Sequence, residues 1–392
     1  MKIALVHDWL NQSGGAEDVL EALKRAYPGS PLYTSIYASS RMPAHYRDWD
    51  IRTLWMDRMP GIYGRHQIYL PLYALAWNQL ELSGYDVILS NKSGFCHGLR
   101  FSPDSLHICY CLTPNRYVWQ LEAYLAGEDI AGAAKLFLRP LVAGLKRWDY
   151  AAAQRVSHFI AISSAVQERI KRFYGRDSAL IFPPVETARF ASAATPKTGD
   201  YFLIVSRLIP YKRIDLAVQA ATELGIKLKI AGAGRDLHRL RALAGDGVEF
   251  LGYVPDAELP ELMAGCRALI FPGLEDFGIA PVQAQAAGRP VIAFSGGGAL
   301  DTVIPGITGE RFAELTADSL KEVWREFDHS AYNPEEIQLQ ARKFDVSVFV
   351  ARIDAFVRQA WHARKSNQEF QFRDPVVIEK GCLPWNTENS SA

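Results

Sequence analysis

The sequence predicts an α/β protein built from two Rossmann-like, doubly wound domains in tandem. Three observations lead to this prediction. Short apolar runs alternate with helical patterns along most of the chain, which is typical of helices packed on a mostly parallel sheet. A break at Pro183 and Pro184 divides this alternation into two series. The length of 392 residues suits two domains of ordinary size.

The first series opens with an apolar run at residues 3–7, a loop containing Gly14 and Gly15, and a helical pattern over residues 16–27. This order predicts a strand, a glycine loop and a helix. Further strands are predicted at residues 86–90, 108–113, 159–163 and 179–182, and further helices at residues 65–82 and 164–174.

The second series follows a small, polar stretch at residues 191–200, which is typical of a linker. Its strands are predicted at residues 201–206, 227–231, 248–252, 268–271 and 291–294. Helices are predicted at residues 212–224, 235–243, 256–266, 278–287, 319–327, 334–343 and 346–364. The predicted organisation is an N-terminal domain at 1–190, a C-terminal domain at 200–345, a terminal helix at 346–364 and a loose tail at 366–392.

Composition and charge exclude several classes of protein. Hydrophobic residues make up 49% of the chain and charged residues 22%, which excludes a disordered protein and a small disulfide scaffold. Lys plus Arg and Asp plus Glu each number 43, so the net charge is zero and argues against a nucleic-acid partner. The five cysteines include no Cys-x-x-Cys pair, which favours reduced thiols. Since neither a signal-peptide core nor a membrane span is found, we expect a cytoplasmic protein.

The residues suited to bind a ligand follow strands of the second series. Arg207 and Lys212 flank a turn and could clamp a diphosphate, although two solvated surface cations would look the same. Glu275 follows a buried strand and precedes a helix start near Gly278, where free N–H groups favour a phosphate. The alternative is an acid that stabilises the helix dipole. Because Glu275 lies at the carboxyl end of a strand, where ligands of such sheets bind, the ligand-binding role is favoured over the dipole role.

Seven segments, taken together and in order, resemble one family. They are VHDWLNQSGGAEDVL (6–20), CLTPNRYVW (111–119), IAISSAVQERIKRFYGR (160–176), FPPVETARF (182–190), SRLIPYKRIDLAV (206–218), FPGLEDFGIAPVQAQAAGRPVIAF (271–294) and GGGALDTV (296–303). The chain resembles the family-four retaining glycosyltransferases of the GT-B fold, in which two Rossmann-like domains face each other across a cleft. The similarity is greatest to the bacterial, mannosyltransferase-like branch that builds O-antigen and exopolysaccharide.

The resemblance implies that a nucleotide-diphospho-sugar binds mainly to the C-terminal domain. Its implied catalytic residues are Glu275, beside the donor sugar, and Arg207 and Lys212, on the diphosphate. The other donor-side positions that match are Gly14 and Gly15 (a loop closing over the diphosphate), Gly278, Ile279 and Ala280 (backbone near the sugar and its phosphates) and Gln283 (the ribose).

The resemblance further implies a transfer that retains the anomeric configuration and needs neither a divalent metal nor another cofactor. The terminal helix at 346–364 would cross back onto the N-terminal domain, from which the acceptor would enter. The acceptor-side candidates are polar residues near the ends of its strands, for which loop capping or core packing is the alternative: Asp8, Asn91, Lys92, His97 and Arg116.

Two positions depart from the family pattern. Gln283 stands where the family has a glutamate on the ribose, so a charge-assisted hydrogen bond is lost and we expect weaker nucleotide binding. Leu112 stands where the family often has a histidine beside the donor sugar, and leucine forms no hydrogen bond. These departures keep open a second hypothesis, a catalytically degenerate sugar-nucleotide-binding or scaffold protein of a polysaccharide assembly complex.

Residues 135–176 hold nine basic residues and two acidic ones. A basic amphipathic helix there could lie on anionic lipid, and the alternative is a solvated basic face. The expected reaction is transfer of mannose from GDP-mannose to a lipid-linked, growing surface polysaccharide. We expect the protein in the cytoplasm, and peripheral contact with the inner surface of the membrane remains an open alternative.

Overall fold

The computed structural model describes residues 1–120, 132–193 and 198–376, with residues 132–139 described by their backbone alone. The described chain divides into two compact units. Unit 1 consists of Met1–Pro183 and Phe349–Val376, and unit 2 begins at Pro184 and runs to Val348.

Unit 1 is built on a seven-stranded parallel sheet. Unit 1 has nine strands in its described part, seven of them in this sheet: β1 (Ile3–His7), β2 (Leu32–Thr34), β3 (Ile51–Thr53), β4 (Glu81–Leu82), β5 (Val87–Lys92), β6 (Arg100–Phe101), β7 (Leu106–Cys111), β8 (His158–Ala161) and β9 (Ser178–Leu180). The sheet order is β3-β2-β1-β5-β7-β8-β9, and β4 pairs separately with β6. The order reverses between β1 and β5, which places a crevice at the carboxyl ends of these two strands.

Helices and short 3-10 turns connect the strands of unit 1. The helices are α1 (Gly15–Ala26), α2 (Ile62–Arg65), α3 (Leu70–Gln79), α4 (Arg116–Trp119), α5 (Gly132–Arg155) and α6 (Ser164–Tyr174). Local signals fix their ends. The Ser163 hydroxyl accepts a hydrogen bond from the Val166 N–H (3.2 Å) at the start of α6, and Gly175, with φ of 65°, ends the helix.

Unit 2 is built on a six-stranded parallel sheet. Its strands are β10 (Phe202–Val205), β11 (Leu228–Ala231), β12 (Val248–Gly252), β13 (Leu269–Phe271), β14 (Val291–Phe294) and β15 (Gly309–Phe312). Its helices are α7 (Thr187–Ala191), α8 (Ile214–Leu224), α9 (Leu237–Leu243), α10 (Leu259–Ala264), α11 (Ile279–Ala286), α12 (Ala299–Thr302), α13 (Ala317–Glu326) and α14 (Pro334–Ala341). The order β12-β11-β10-β13-β14-β15 reverses between β10 and β13 and gives this sheet its own crevice.

The two parallel sheets confirm the predicted α/β class. Each central strand is a short apolar run because helices cover both faces of the sheet, and β1 is buried along its whole length. Unit 2 begins earlier than the sequence predicts. The Val185 N–H donates to the Phe344 carbonyl (2.8 Å), and the Val185 carbonyl accepts from the Val346 N–H (3.1 Å), so the chain joins unit 2 directly after Pro184.

The last helix, α15 (Val346–Lys365), belongs to unit 1 from Phe349 onward. The Phe349 ring packs against Tyr110 (5.5 Å between centroids) and Phe356 against His158 (6.1 Å). Burial, together with the Arg176 charge, lowers the pKa of His158 to about 4. This imidazole is therefore neutral at pH 7 and serves the apolar packing.

Residues 366–376 differ from the predicted loose tail. The Phe370 ring packs against His158 (4.6 Å) and Phe356 (4.9 Å), and the buried Arg352 pairs with Asp374 (2.7 Å). These contacts hold the segment on unit 1 although its composition is polar. The remainder of the predicted tail, residues 377–392, lies outside the described residues.

Four of the five cysteines are buried free thiols, as predicted: Cys96, Cys109, Cys111 and Cys266; Cys382 lies outside the described residues. Within the described ranges, no helix combines the length and the hydropathy that crossing a bilayer requires. The same residues hold no group of three or more His, Cys, Asp or Glu side chains placed to bind a metal ion.

Candidate active site

The candidate site of unit 2 lies where β10 and β13 end side by side. The turn after β10 carries Arg207 and Lys212, and the turn after β13 carries Glu275. The Lys212 ammonium forms an ion pair with the Glu275 carboxylate, and the two side chains are 13% and 17% exposed. Arg207 is exposed at the same edge. The structure therefore brings two of the three predicted catalytic residues into contact.

Glycines make the close approach of these turns possible. A Cβ atom at Gly273 would lie 2.6 Å from the Lys212 carbonyl oxygen, which no side chain tolerates. A Cβ atom at Gly232 would lie 1.8 Å from the Ser206 carbonyl oxygen, so the turn after β11 packs directly against the turn after β10. These contacts fix the backbone from which Lys212 extends.

A third turn, at residues 296–298, holds the backbone of Glu275. The Gly298 N–H donates to the Glu275 carbonyl (2.9 Å). Gly297 has φ of 61°, and a Cβ atom there would lie 2.0 Å from the same carbonyl oxygen. Only glycine fits this position. We did not predict this role from the sequence, although the run of three glycines was its signal.

The start of α11 completes the unit 2 site. Gly278 has φ of 88° and leads into Ile279 and Ala280, both half-buried in the first turn. The first N–H groups of a helix lack partners within the helix and carry a partial positive charge, so they favour an anion. Gln283 lies half-buried one turn further along α11. The edge thus combines Arg207, Lys212, the Glu275 carboxylate and the first turn of α11.

The glycine loop of unit 1 precedes α1. Gly14 is exposed and extended, with φ of 178°, which any residue can adopt. A Cβ atom at Gly14 would meet only the Glu17 carboxylate, at 3.6 Å, which is an ordinary contact. The fold therefore does not require glycine at this position. Gly15 opens the first turn of α1 and is half-buried.

The prediction that Asp8 lies on the acceptor side is wrong, because its side chain caps a loop instead. Its side chain is buried. The two carboxylate oxygens accept hydrogen bonds from four consecutive backbone N–H groups, those of residues 93–96, at 2.6–2.8 Å. An aspartate at the end of β1 thus fixes the loop after β5, which is its neighbour in the sheet.

Asn91, Lys92 and His97 are also buried, so the expectation that they line a ligand surface is not met. Asn91 donates to the Ala16 carbonyl (2.8 Å), and its amide lies 3.2 Å from His7 Nδ1. Lys92 and His97 lie in a polar network inside unit 1. Arg116, by contrast, is half-exposed at the start of α4, just beyond the carboxyl end of β7.

A buried histidine–glutamate pair near the glycine loop is not predicted from the sequence. His7 Nε2 lies 3.3 Å from the Glu17 carboxylate, and both side chains are almost fully buried. Glu17 occupies the first turn of α1, where an acid is common. No sequence signal separates this buried acid from an exposed one.

Parts of the chain are similar in sequence to known glycosyltransferases. Residues 185–344 match the profile of the family described as "Glycosyl transferases group 1". A 178-residue stretch is 32% identical to the GDP-mannose-dependent alpha-(1-6)-phosphatidylinositol monomannoside mannosyltransferase of Mycolicibacterium smegmatis, covering 38% of this chain and 47% of that protein. The mouse alpha-1,3/1,6-mannosyltransferase is 24% identical over 344 residues, covering 76% of this chain and 80% of its own. The chain spans about half the length of the mycobacterial enzyme, and 49% of a similar Xanthomonas glycogen synthase.

Solved structures share the fold. The Anabaena protein Alr3699/HepE, crystallised in complex with UDP, superposes with a TM-score of 0.66 at 19% identity, covering 91% of this chain and 100% of that one. The comparisons support the predicted enzyme class, but the O-antigen branch is not established by them. The fold is that of the GT-B glycosyltransferases, and residues 185–344, which carry the Lys212–Glu275 pair, match the glycosyl transferases group 1 family.

Proposed function

We propose that this protein is a retaining, metal-independent glycosyltransferase that moves mannose from GDP-mannose to a saccharide acceptor. The observation that carries the proposal is the Lys212–Glu275 ion pair beside the start of α11, at the carboxyl edge of the unit 2 sheet. The match of this region to a glycosyltransferase family supports the class of reaction.

The diphosphate of the donor would lie against Arg207, Lys212 and the first turn of α11. In the transfer, the bond between the anomeric carbon and the diphosphate oxygen breaks, and the acceptor oxygen bonds to the same face of that carbon. The acceptor proton passes to the departing diphosphate. Two cations and the helix N–H groups stabilise the charge that this oxygen gains, which is the role a metal ion would otherwise have.

Glu275 would orient the donor sugar. Its backbone is fixed by Gly298 and one carboxylate oxygen is bound by Lys212, so the other oxygen is positioned to accept hydrogen bonds from sugar hydroxyls. Gln283 would bind the ribose through a neutral amide. The fold does not require glycine at Gly14 of unit 1, so its small size would leave that loop open to close approach by a ligand.

The choice of GDP-mannose rests on two relatives. Both are named as mannosyltransferases, and one is named as dependent on GDP-mannose. The similar Anabaena structure contains UDP, so a UDP-sugar is the competing donor in the test below.

The proposed acceptor is a lipid-linked, growing surface polysaccharide, reached from the cytoplasmic face of the membrane. An apolar-basic surface of unit 1, formed by Arg58, Tyr63, Arg65, Ile68 and Leu75, supports this proposal. Ile68 is 70% exposed and Leu75 is 49% exposed, and residues 58–80 contain no Asp or Glu. Asp57 adjoins this surface and accepts a hydrogen bond from the Tyr63 hydroxyl (3.1 Å). Exposed apolar side chains with cations suit the headgroup region of an anionic membrane. The first part of the predicted basic stretch, residues 135–139, lies outside the described side chains.

The test is binding and turnover of five donors by the full chain: GDP-mannose, UDP-glucose, UDP-galactose, UDP-N-acetylglucosamine and dTDP-rhamnose. We expect GDP-mannose to bind in calorimetry and to be hydrolysed slowly. Glu275→Gln and Lys212→Met should each lower turnover by about a hundredfold, the scale of losing one contact to developing charge. The matched controls Glu249→Gln and Lys227→Met alter exposed ion pairs of the same unit and should leave turnover unchanged.

Other outcomes of this test lead elsewhere. Turnover of a UDP-sugar in place of GDP-mannose would correct the donor. Binding of a donor without turnover, even with lipid-linked saccharide added, would favour the sugar-nucleotide-binding protein that Leu112 and Gln283 keep open. Normal turnover in Glu275→Gln would overturn the proposed site.

A further inference from the structure

A buried polar network in unit 1 has no part in the donor site. It consists of Lys92, His97, Asp149 and Tyr174, all fully buried, and the indole N–H of Trp119. The Asp149 carboxylate accepts from Trp119 Nε1 (2.6 Å) and from the Tyr174 hydroxyl (2.8 Å). The Tyr174 oxygen in turn accepts from the Lys92 ammonium (3.0 Å). His97 Nε2 lies 3.4 Å from the same carboxylate.

The network joins elements that are far apart in sequence. Lys92 ends β5, Asp149 lies in α5, Tyr174 ends α6 and Trp119 ends α4. Two of its members also reach the stretch between β7 and the end of α4, residues 113–119, which we name the 113–119 segment. Lys92 donates to the carbonyl of Thr113 at its start (3.3 Å), and Asp149 binds Trp119 at its end.

The 113–119 segment is therefore held at both ends, and it is braced in between. The Asn115 side chain accepts from the Tyr117 N–H (3.1 Å), which caps α4. Arg169 adds a second contact at the start of the segment, where it donates to the Thr113 hydroxyl (3.3 Å). Between the two anchors, Arg116 and Tyr117 remain half-exposed.

The chemistry of the network indicates a task beyond stability. Burying a lysine and an aspartate costs desolvation energy, and well-packed apolar side chains often stabilise a core as well or better. Burial and the Lys92 charge hold the pKa of His97 well below its usual range, so this histidine is a neutral member. The Asp149 carboxylate fixes the orientation of the Trp119 indole and the Tyr174 phenol, because both donate hydrogen bonds to it.

The position of the segment beside the sheet indicates the role of the network. The strands β1, β5 and β7 are parallel neighbours, so their carboxyl ends share one edge of unit 1. Ligands of open α/β sheets bind at this edge. The 113–119 segment starts two residues after β7 and carries the half-exposed Arg116 and Tyr117, although the Tyr117 hydroxyl also accepts from Gln67 (3.4 Å). Guanidinium and phenol groups hydrogen-bond to sugar hydroxyls and pack on sugar rings.

We propose that Asp149, Tyr174 and Lys92 are positioning residues that hold the 113–119 segment in the shape that binds the saccharide acceptor. This inference rests on the proposed function for the identity of the ligand. The network itself touches no substrate and acts through Arg116 and Tyr117.

The test compares Tyr174→Phe, which removes only the hydroxyl that joins Lys92 to Asp149, with Tyr110→Phe. Tyr110 is an equally buried tyrosine of unit 1 whose hydroxyl donates to the Ile181 carbonyl (3.0 Å), outside the network. The first readout is hydrogen–deuterium exchange of the 113–119 backbone in the full chain. We expect faster exchange in Tyr174→Phe and no change in Tyr110→Phe. Unchanged exchange in Tyr174→Phe would overturn the positioning role.

The second readout is kinetic, with GDP-mannose as donor and octyl α-mannoside as the acceptor probe. We expect Tyr174→Phe to raise the acceptor KM by about tenfold and to leave kcat and the donor KM within about twofold, since binding in the ground and transition states is weakened alike. Asp149→Asn should act in the same direction. A loss of folding alone would lower the rate without moving KM, and an unchanged acceptor KM would contradict the proposal.

A third readout separates this proposal from the proposed function. If the wild-type chain transfers no mannose, the proposed function fails, and saturation-transfer NMR then measures binding of octyl α-mannoside directly. Stronger binding by wild type and Tyr110→Phe than by Tyr174→Phe would still support the positioning role. Equal binding by all three, or no binding by wild type, would overturn it.

Discussion

At the scale of single residues, Asp8 connects two loops of unit 1 through one carboxylate. Four backbone N–H groups point at its two oxygens, and the side chain is buried. In Asp8→Asn the amide group would face two of these donors and leave them without acceptors. Because a hydrogen bond to a charged group contributes about 1.5–3 kcal/mol, we expect unit 1 to lose about 3 kcal/mol of unfolding free energy.

Urea denaturation followed by the tryptophan signal of unit 1 measures this loss. Asp50→Asn is the matched control, because Asp50 forms an ion pair with Arg52 that is half-exposed on both sides and should contribute less than about 1 kcal/mol. Equal midpoints for the two variants would show that the loop after β5 does not depend on Asp8.

The sequence could not settle Asp8 in advance. An aspartate at the carboxyl end of a strand is equally suited to a ligand and to a neighbouring loop, and the choice depends on the path of residues 93–96. The same holds for Lys92 and His97, whose partners lie in α5 and α6. The proximity of Lys212 and Glu275 was predictable from the sequence, because each follows a strand at the point where the strand order reverses.

At the scale of elements, the turn at residues 296–298 determines where the Glu275 backbone lies. In Gly297→Ala the new Cβ would overlap the Glu275 carbonyl oxygen, so the turn after β13 must move. A displacement of about 1 Å at a reacting centre costs about a hundredfold in rate, so we expect donor turnover to fall by that factor. Steady-state hydrolysis of GDP-mannose is the measurement.

Gly306→Ala is the matched control for this prediction. Gly306 also has a positive φ, 74°, but a Cβ atom there would meet nothing within 4 Å. Both variants carry the backbone strain of a left-handed alanine, about 1–2 kcal/mol, and only Gly297→Ala carries the overlap. If both lost turnover equally, strain rather than the position of Glu275 would be the cause.

Elements were predictable where their signal is local. The central strands β1, β5, β7, β10 and β13 fall within or beside their predicted apolar runs, because a strand covered on both faces must be apolar throughout. The strands β2 and β3 were missed, since three residues give no periodicity. Residues 366–376 were misjudged because their partners, such as His158 and Arg352, lie elsewhere in the chain.

At the scale of the whole molecule, the zero net charge conceals an uneven surface. The apolar-basic surface of unit 1 carries Arg58 and Arg65, and the sequence from residue 58 to residue 80 contains no Asp or Glu. We expect the chain to float with vesicles of phosphatidylcholine and phosphatidylglycerol, and less with phosphatidylcholine alone or at high salt. The double variant Ile68→Ser, Leu75→Ser should lower this binding by about tenfold, as two exposed apolar side chains are lost.

Leu243→Ser is the control for vesicle binding, because Leu243 is 44% exposed and belongs to unit 2, so it is not part of this surface. Flotation that is the same for the wild type and the double variant would remove membrane contact from the proposed function. It would leave the donor site unaffected, since Lys212 and Glu275 lie in the other unit.

The division of the chain into units has a consequence for the order in which they are completed. The polypeptide leaves unit 1 at Pro183, builds unit 2, and returns at Phe349 to supply a helix and a closing segment. During synthesis from the N-terminus, residues 184–348 of unit 2 are therefore available before the last buried aromatic side chains of unit 1 emerge. Unit 1 is therefore begun first and completed last, because the rings of Tyr110 and His158 lack their partners Phe349 and Phe370 until residue 370 has left the ribosome.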